Sequence, residues 1–371
     1  MRKNIIISIV SCFLAACVAI PTISYASTTL RDPNGDGNIT MADKMYIDYF
    51  LSGAMIPTNL TSLDFDQNGV ISYMDSFKVQ MYDAGFSNIV PNASANDPVY
   101  SANTEKLTYR RHNYSSNSYS TYYSYSLTPS SSNSNTDTIL NSNDMVLDSD
   151  TAVVRITNSG GTGFIINSNI IVTAAHCVYN KTNNEFIDFD VEIVDSMGNT
   201  ITSISPQYVH IPEKYITTAG SSNGYDYALI YVNPNFDLTA YGQFYLGYCL
   251  DSYLNDEGSV CVSGFPQEYP SWYNSQDWGT RFKSYGHLFE LDYSNLEGEI
   301  HRLKYTADTS YGMSGGPVYI PETINIPQYN INKSYNTVIG INTSSGDIFN
   351  AGVRINCQHL KFYYNNSYLT E

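Results

Sequence analysis

Beyond residue 150 the chain alternates apolar and polar positions in short bursts. Ala152–Ile156, Gly163–Val172, Val191–Val194, Ala228–Val232, Ser259–Val262, Val318–Ile320 and Val338–Ile341 each read as a strand, with turn signals between them. Helical periodicity is scarce here until the C-terminus. Many short strands with frequent turns predict an all-β barrel or sandwich.

The N-terminal part is patterned differently. Asp32-Pro33-Asn34-Gly35-Asp36-Gly37-Asn38-Ile39-Thr40-Met41-Ala42-Asp43 sets oxygen-bearing side chains at positions 1, 3, 5 and 12 of a loop, with glycine at 6 for the sharp turn. Asp64-Phe65-Asp66-Gln67-Asn68-Gly69-Val70-Ile71-Ser72-Tyr73-Met74-Asp75 repeats the pattern 32 residues later. The spacing predicts two calcium ions, held by Asp32, Asn34, Asp36, Asn38 and Asp43 and by Asp64, Asp66, Asn68, Val70 and Asp75. Asn38 and Val70 would contribute backbone carbonyls. Ile39 and Ile71 are expected to pair the two loops through a short strand. Each loop runs into an amphipathic helix, Lys44–Leu51 and Ser76–Tyr82.

Between the two halves, Ser87 to Asp137 is rich in Ser, Asn and Tyr and nearly devoid of aliphatic residues from Tyr114 to Ser134. That composition predicts a linker, since it offers little apolar surface to offset ordering entropy. At the N-terminus, basic Arg2-Lys3, apolar Ile5–Leu14 and small-x-small Ser24-Tyr25-Ala26 predict a secretion signal. Leu14-Ala15-Ala16-Cys17 leaves a lipoprotein signal as the alternative. The expected organisation is a signal peptide at 1–26, a calcium-binding module at 27–87, a linker at 88–137 and a β domain at 138–371. No later segment is apolar enough to span a bilayer. A net charge of −17 argues against nucleic-acid or anionic-membrane binding through a basic face. Cleavage after Ala26 would leave Cys177, Cys249, Cys261 and Cys357, too few for a disulfide framework.

The chemistry concentrates in three segments. Tyr311-Gly312-Met313-Ser314-Gly315-Gly316-Pro317-Val318 holds a serine between glycines ahead of a strand, suited to an exposed, backbone-constrained nucleophile. Such a serine needs a base and a group to orient that base. Thr173-Ala174-Ala175-His176-Cys177-Val178 follows an apolar run, and Tyr225-Asp226-Tyr227-Ala228-Leu229-Ile230 leads into another. The order His176, Asp226, Ser314 is that of one triad lineage. Asp188, Asp190 and Asp237 compete with Asp226. His112, His210, His287, His301 and His359 lack comparable context.

On these motifs the last two-thirds of the chain resembles a chymotrypsin-fold serine protease of the bacterial glutamyl-endopeptidase-like branch. The resemblance implies two six-stranded barrels with the active site between them, acting on proteins or peptides. It implies an oxyanion hole from the amides of Gly312 and Ser314 and a specificity pocket from Asp308, Thr309, Asn342 and Thr343. Asn342 stands where glutamyl endopeptidases keep a histidine, and the preference for acidic, basic or neutral residues stays open. Met313 replaces the aspartate that pairs with a new N-terminus in trypsin-like zymogens. The strand before His176, Gly161-Thr162-Gly163-Phe164, lacks the cysteine that relatives pair with the one after the histidine. Cleavage near Ile139-Leu140-Asn141-Ser142 would shed the N-terminal module.

That module resembles a dockerin, which implies a cohesin partner on a scaffoldin and an extracellular, cellulosome-associated enzyme. Recognition positions 10 and 11 are Met41-Ala42 and Tyr73-Met74, unlike the common Ser-Thr type. A calcium-stabilised module without a partner is the alternative. For the whole chain, the alternative to an active protease is an inactive protease-like binding module.

Overall fold

The computed structural model describes residues 31–86 except 56 and 58, the backbone of 103–113 and 118–128, and 145–217. It also describes 224–250, 253, 258–267, 273, 279–289, 302–327, 330–344 and 350–355. The expected signal peptide with Cys17, the Ile139–Ser142 segment, Cys357, His301, His359 and the C-terminal helical pattern lie outside these residues. Among the described residues no helix is long and apolar enough to cross a membrane.

Helix α1, Met41–Leu51, starts earlier than expected because Thr40 caps it and Asp43 reaches back to the Thr40 amide. Strand β1, Val70–Ile71, and helix α2, Tyr73–Asp83, repeat the arrangement with Ser72 and Asp75. Asp43 and Asp75 therefore hold a helix start as well as closing a loop. The loops do not pair through Ile39 and Ile71. Ile71 instead faces Tyr248 of the β domain, and Val70 faces Cys249. The strand edge has found an extended partner outside the module, and Ile39 packs against the main core.

Within the expected linker, β2, Asn103–Asn113, and β3, Ser118–Thr128, pair along their full length as a hairpin. The stretch is thus more than a bare connector: backbone pairing needs no aliphatic side chains, and a sheet edge supplies the partner. There follow β4, Val153–Ile156; β5, Gly161–Asn167; β6, Ile170–Thr173; β7, Val191–Val194; β8, Thr200–Ile204; and β9, Tyr208–Pro212. The short helix α3, Glu213–Thr217, precedes β10, Ala228–Tyr231. These strands form a nine-stranded sheet in the order β8-β7-β4-β5-β6-β10-β9-β2-β3. The single expected strand 163–172 is two, folded back at Ser168 and Asn169.

The second half contains β11, Tyr248–Cys249; β12, Ser259–Gly264; β13, Phe282–Phe289; β14, Arg302–Tyr305; β15, Pro317–Ile326; β16, Ile331–Ser344; and β17, Asn350–Arg354. Here the pairing order β16-β15-β12-β13-β14-β17 closes on itself, because β17 also pairs with β16. That ring is the expected six-stranded barrel, whereas the first sheet is longer than six strands and extended by the hairpin. Val262, Phe282, Leu303, Met313, Val318 and Ile339 fill the closed barrel.

The module does not stand apart from the β domain. Ile47, Phe50, Leu63, Phe65 and Ile71 share one apolar cluster with Tyr248, Leu250 and Val338. Phe50 meets Tyr248 edge-on with ring centroids 6.0 Å apart, and Tyr73 meets Tyr245 at 5.6 Å. The expectation of a freely tethered module is corrected on this point.

Candidate active site

Strand pairing alone brings His176 and Asp226 to one place. β6 and β10 are antiparallel with Thr173 opposite Ala228, so the chain leaving β6 and the chain entering β10 meet at the same end. His176 follows Thr173 by three residues in a short 3-10 turn, and Asp226 precedes Ala228 by two. The Asp226 carboxylate is buried and accepts twice, from His176 Nδ1 at 2.7 Å and from the His176 backbone N–H at 3.0 Å. The imidazole is one-third exposed. Burial works to lower its pKa. The Asp226 charge and hydrogen bond, with Cys177 beside it, outweigh that and raise it well above the ordinary value.

Of the rival aspartates, Asp237 and Asp190 have their carboxylates engaged elsewhere. Asp237 caps the turn at Thr239, Asp190 accepts from Ser205, and the Asp188 carbonyl accepts from Asn158. His210 is buried on β9 and His287 exposed on β13. The histidine at 112 lies on β2.

Ser314 sits in a turn that needs its glycines. Gly312 has φ +91° and Gly315 φ +87°. A Cβ at Gly315 would fall on the Thr162 carbonyl and the Thr173 hydroxyl, and one at Gly312 on the Phe265 carbonyl. This close approach packs the serine turn against the end of β6 that leads to His176. Thr162 of β5 ties the two parts together. Its N–H donates to the Ser314 carbonyl at 2.8 Å, its hydroxyl donates to the Gly312 carbonyl at 2.7 Å, and its carbonyl accepts from Thr173 at 2.6 Å. Cys177 Sγ lies 3.4 Å from the same Ser314 carbonyl oxygen.

Among the described residues the Gly312 and Ser314 amides have no protein acceptor, which leaves both free to donate to an incoming oxyanion. The Ser314 hydroxyl likewise makes no protein hydrogen bond there. Contacts of this type commonly tighten only with substrate in place.

The expected pocket residues behave differently from one another. Asn342 is buried and fully used: Nδ2 donates to the Met313 carbonyl at 2.9 Å and Oδ1 accepts from Tyr305 at 2.6 Å. Its backbone also accepts from the Gly315 N–H and donates to the Gly316 carbonyl. Asn342 therefore braces the serine turn. Thr309 Oγ1 is buried without a hydrogen-bond partner. Asp308 is buried with its N–H on Ser284 Oγ, and the Thr343 hydroxyl lies 3.4 Å from the Ala351 carbonyl. Met313 is wholly buried in the closed barrel. Cys177, Cys249 and Cys261 are buried, and Gly161 fills the position facing Cys177 Sγ, where a Cβ would come within 2.5 Å.

The two calcium-type loops differ in burial. Loop one is largely exposed: the Asp32 carboxylate accepts from the Gly35 and Gly37 amides, and Asp43 accepts from Asn34. Burial holds the Asp43 carboxyl up at about 6. Loop two is buried, and one carboxylate oxygen from each of Asp64, Asp66 and Asp75 lies within 4.8 Å of the others. Burial, then the neighbouring carboxylates, raise Asp75 well above its usual range; burial takes Asp64 to about 6 despite Arg31. Asp64 Oδ1 is buried with no hydrogen-bond partner. An all-oxygen donor set of this kind fits calcium.

Thr162 and the bracing role of Asn342 are missed by motif reading. The only sequence signal at Thr162 is its place between two glycines.

The family profile described as Trypsin matches residues 141–359, more than half of the chain. An "Extracellular metalloprotease" of Bacillus subtilis is 27% identical over 201 residues, covering 53% of this chain and 54% of that protein. A "Glutamyl endopeptidase" of Bacillus licheniformis is 28% identical over 173 residues, covering 45% and 48%. The chain thus spans about half the length of the curated relatives it matches. The solved structure titled "Structure of Glu endopeptidase in complex with MPD" is 18% identical, with TM-score 0.47, covering 62% of this chain and 99% of that one. With the profile covering more than half of the chain, including His176, Asp226 and Ser314, the chain belongs to the trypsin family.

Proposed function

We propose that the chain is a secreted serine endopeptidase working through an acyl-enzyme. The observation that carries this reading is the doubly bonded His176–Asp226 pair, set against a glycine-constrained Ser314 turn by Thr162. Asp226 holds the imidazole with Nδ1 protonated, leaving Nε2 to accept the Ser314 proton. Oγ then bonds to the substrate carbonyl carbon, and the oxyanion is met by the Gly312 and Ser314 amides. Collapse breaks the C–N bond as His176 returns the proton to the leaving amine. Water then repeats the sequence to release the acyl group. The residue before the scissile bond enters a pocket bordered by Asp308, Thr309 and Thr343. Asn342 contributes by bracing the turn, since both polar atoms of its amide are already bonded.

Residues 31–86 are read as a dockerin-like module that binds two calcium ions through Asp32, Asn34, Asp36, Asn38 and Asp43 and through Asp64, Asp66, Asn68, Val70 and Asp75. The repeated loops and the carboxylate cluster of loop two support this. Met41, Met45 and Tyr49, spaced four apart on α1, expose 41%, 45% and 47% of their surface as an apolar stripe, the face offered to a cohesin on a scaffold.

Reaction of the protein with a fluorophosphonate, followed by peptide mass mapping, tests the enzymatic reading. The adduct is expected on Ser314 alone and is lost when His176 is replaced by alanine. Labelling elsewhere, or none in the folded protein, would sink it.

A further inference from the structure

Among the described residues, the buried loop is tied to the β domain at several points that have no counterpart at the exposed one. Val70 and Ile71 pair with Cys249 and Tyr248. The Gly69 carbonyl accepts from the Leu250 N–H at 2.8 Å, and a Cβ at Gly69 would come within 2.7 Å of the Tyr253 side chain. Above all, Glu322 of β15 turns into the loop. Its Oε1 accepts from Asn68 Nδ2 at 3.1 Å and from Ser72 Oγ at 3.1 Å, and Oε2 accepts from Thr337. Asn68 is loop position 5, and Ser72 caps the helix that carries Asp75.

Charge points the same way. Asp64, Asp66, Asp75 and Glu322 bring four formal negative charges into one buried region. Arg31, 2.7 Å from Asp64, and Lys78, 2.6 Å from Asp66, return two. The remaining excess of two equals the charge of one divalent cation. Asp64 Oδ1 is buried without a hydrogen-bond partner, and one carboxylate oxygen from each of Asp64, Asp66 and Asp75 lies within 4.8 Å of the others.

We propose that a divalent cation held by Asp64, Asp66 and Asp75 is a joint between the module and the β domain, with Glu322 as its positioning residue. Binding of the cation and docking of loop two on β11 and β15 are then one linked equilibrium. Because β15 begins at Pro317, three residues after Ser314, the cation stabilises the barrel that carries the serine turn. The same docking covers the second helix start: Met74 is buried and Tyr73 meets Tyr245 edge-on, which leaves Met41, Met45 and Tyr49 of α1 as the exposed apolar side of the module. This inference rests on the calcium reading of the loops.

The test is calorimetric titration of the full secreted chain with calcium chloride, paired with hydrogen exchange read on Tyr248–Leu250 and Pro317–Ile326. Calcium is expected to slow exchange in both peptides. Glu322→Ala is expected to weaken one of two binding events by ~10-fold or more and to abolish that protection. Asp32→Ala, in the exposed loop, should weaken the other event and leave the protection intact, which keeps the test decisive should Glu322→Ala fold poorly. Two binding events with protection confined to residues 31–86 would overturn the joint while sparing the calcium reading. Absence of calcium binding in the folded protein would overturn both.

Discussion

At His176 burial pulls the imidazole pKa down, and the Asp226 charge and hydrogen bond, together with Cys177, outweigh it. A base must be neutral to accept the Ser314 proton, so raising its pKa moves the acid limb of the activity profile upward. kcat/KM against pH should rise with a midpoint above the ordinary histidine value of 6.5. The sign for stability is opposite. Stabilisation from the protonated pair is complete below the unfolded-state pKa and is lost as pH rises through the folded-state one. Asp226→Asn should lower kcat by about 10⁴-fold, since the wrong tautomer is then favoured. Asn342→Ala would strand the buried Tyr305 hydroxyl and leave the Met313 carbonyl only the Gly316 N–H, an expected loss of about 1–3 kcal/mol in urea unfolding, with kcat reduced more than KM is changed. The three proposed triad positions could be singled out in the sequence because each lies in a short local motif. Asn342, Thr162 and Glu322 were not, because they act on partners 29, 150 and 250 residues away.

Among the elements, the serine turn tolerates little change. Gly315 combines a left-handed φ with backbone and hydroxyl oxygens where a Cβ would sit, so Gly315→Ala should abolish activity and lower the melting temperature. A melting temperature and activity like the wild type's would contradict the packing described. The β6–β10 register was open to sequence reading, since both are apolar runs beside the motifs. The β5–β6 reversal was not, because Asn167, Ser168 and Asn169 form a turn inside what reads as a continuous apolar segment. The β2–β3 hairpin escaped for another reason. Its Ser- and Tyr-rich composition resembles a linker, and only the exposed edge of β9 reveals where those backbone groups pair.

For the whole molecule, the β character of residues 138–371 and the repeat of the loop pattern 32 residues apart were readable from the sequence, but the contact between the two parts was not. Composition implied separation; β1 and Glu322 supply attachment. The most direct check of the central claim is cleavage of a mixed peptide library by residues 27–371 beside the Ser314→Ala variant. Cleavage by the native chain that disappears in the variant is the predicted result, and the residue preceding each cut reads out the pocket at Asp308, Thr309 and Thr343. Equal cleavage by both, or none by a folded, calcium-loaded native chain, would contradict the account.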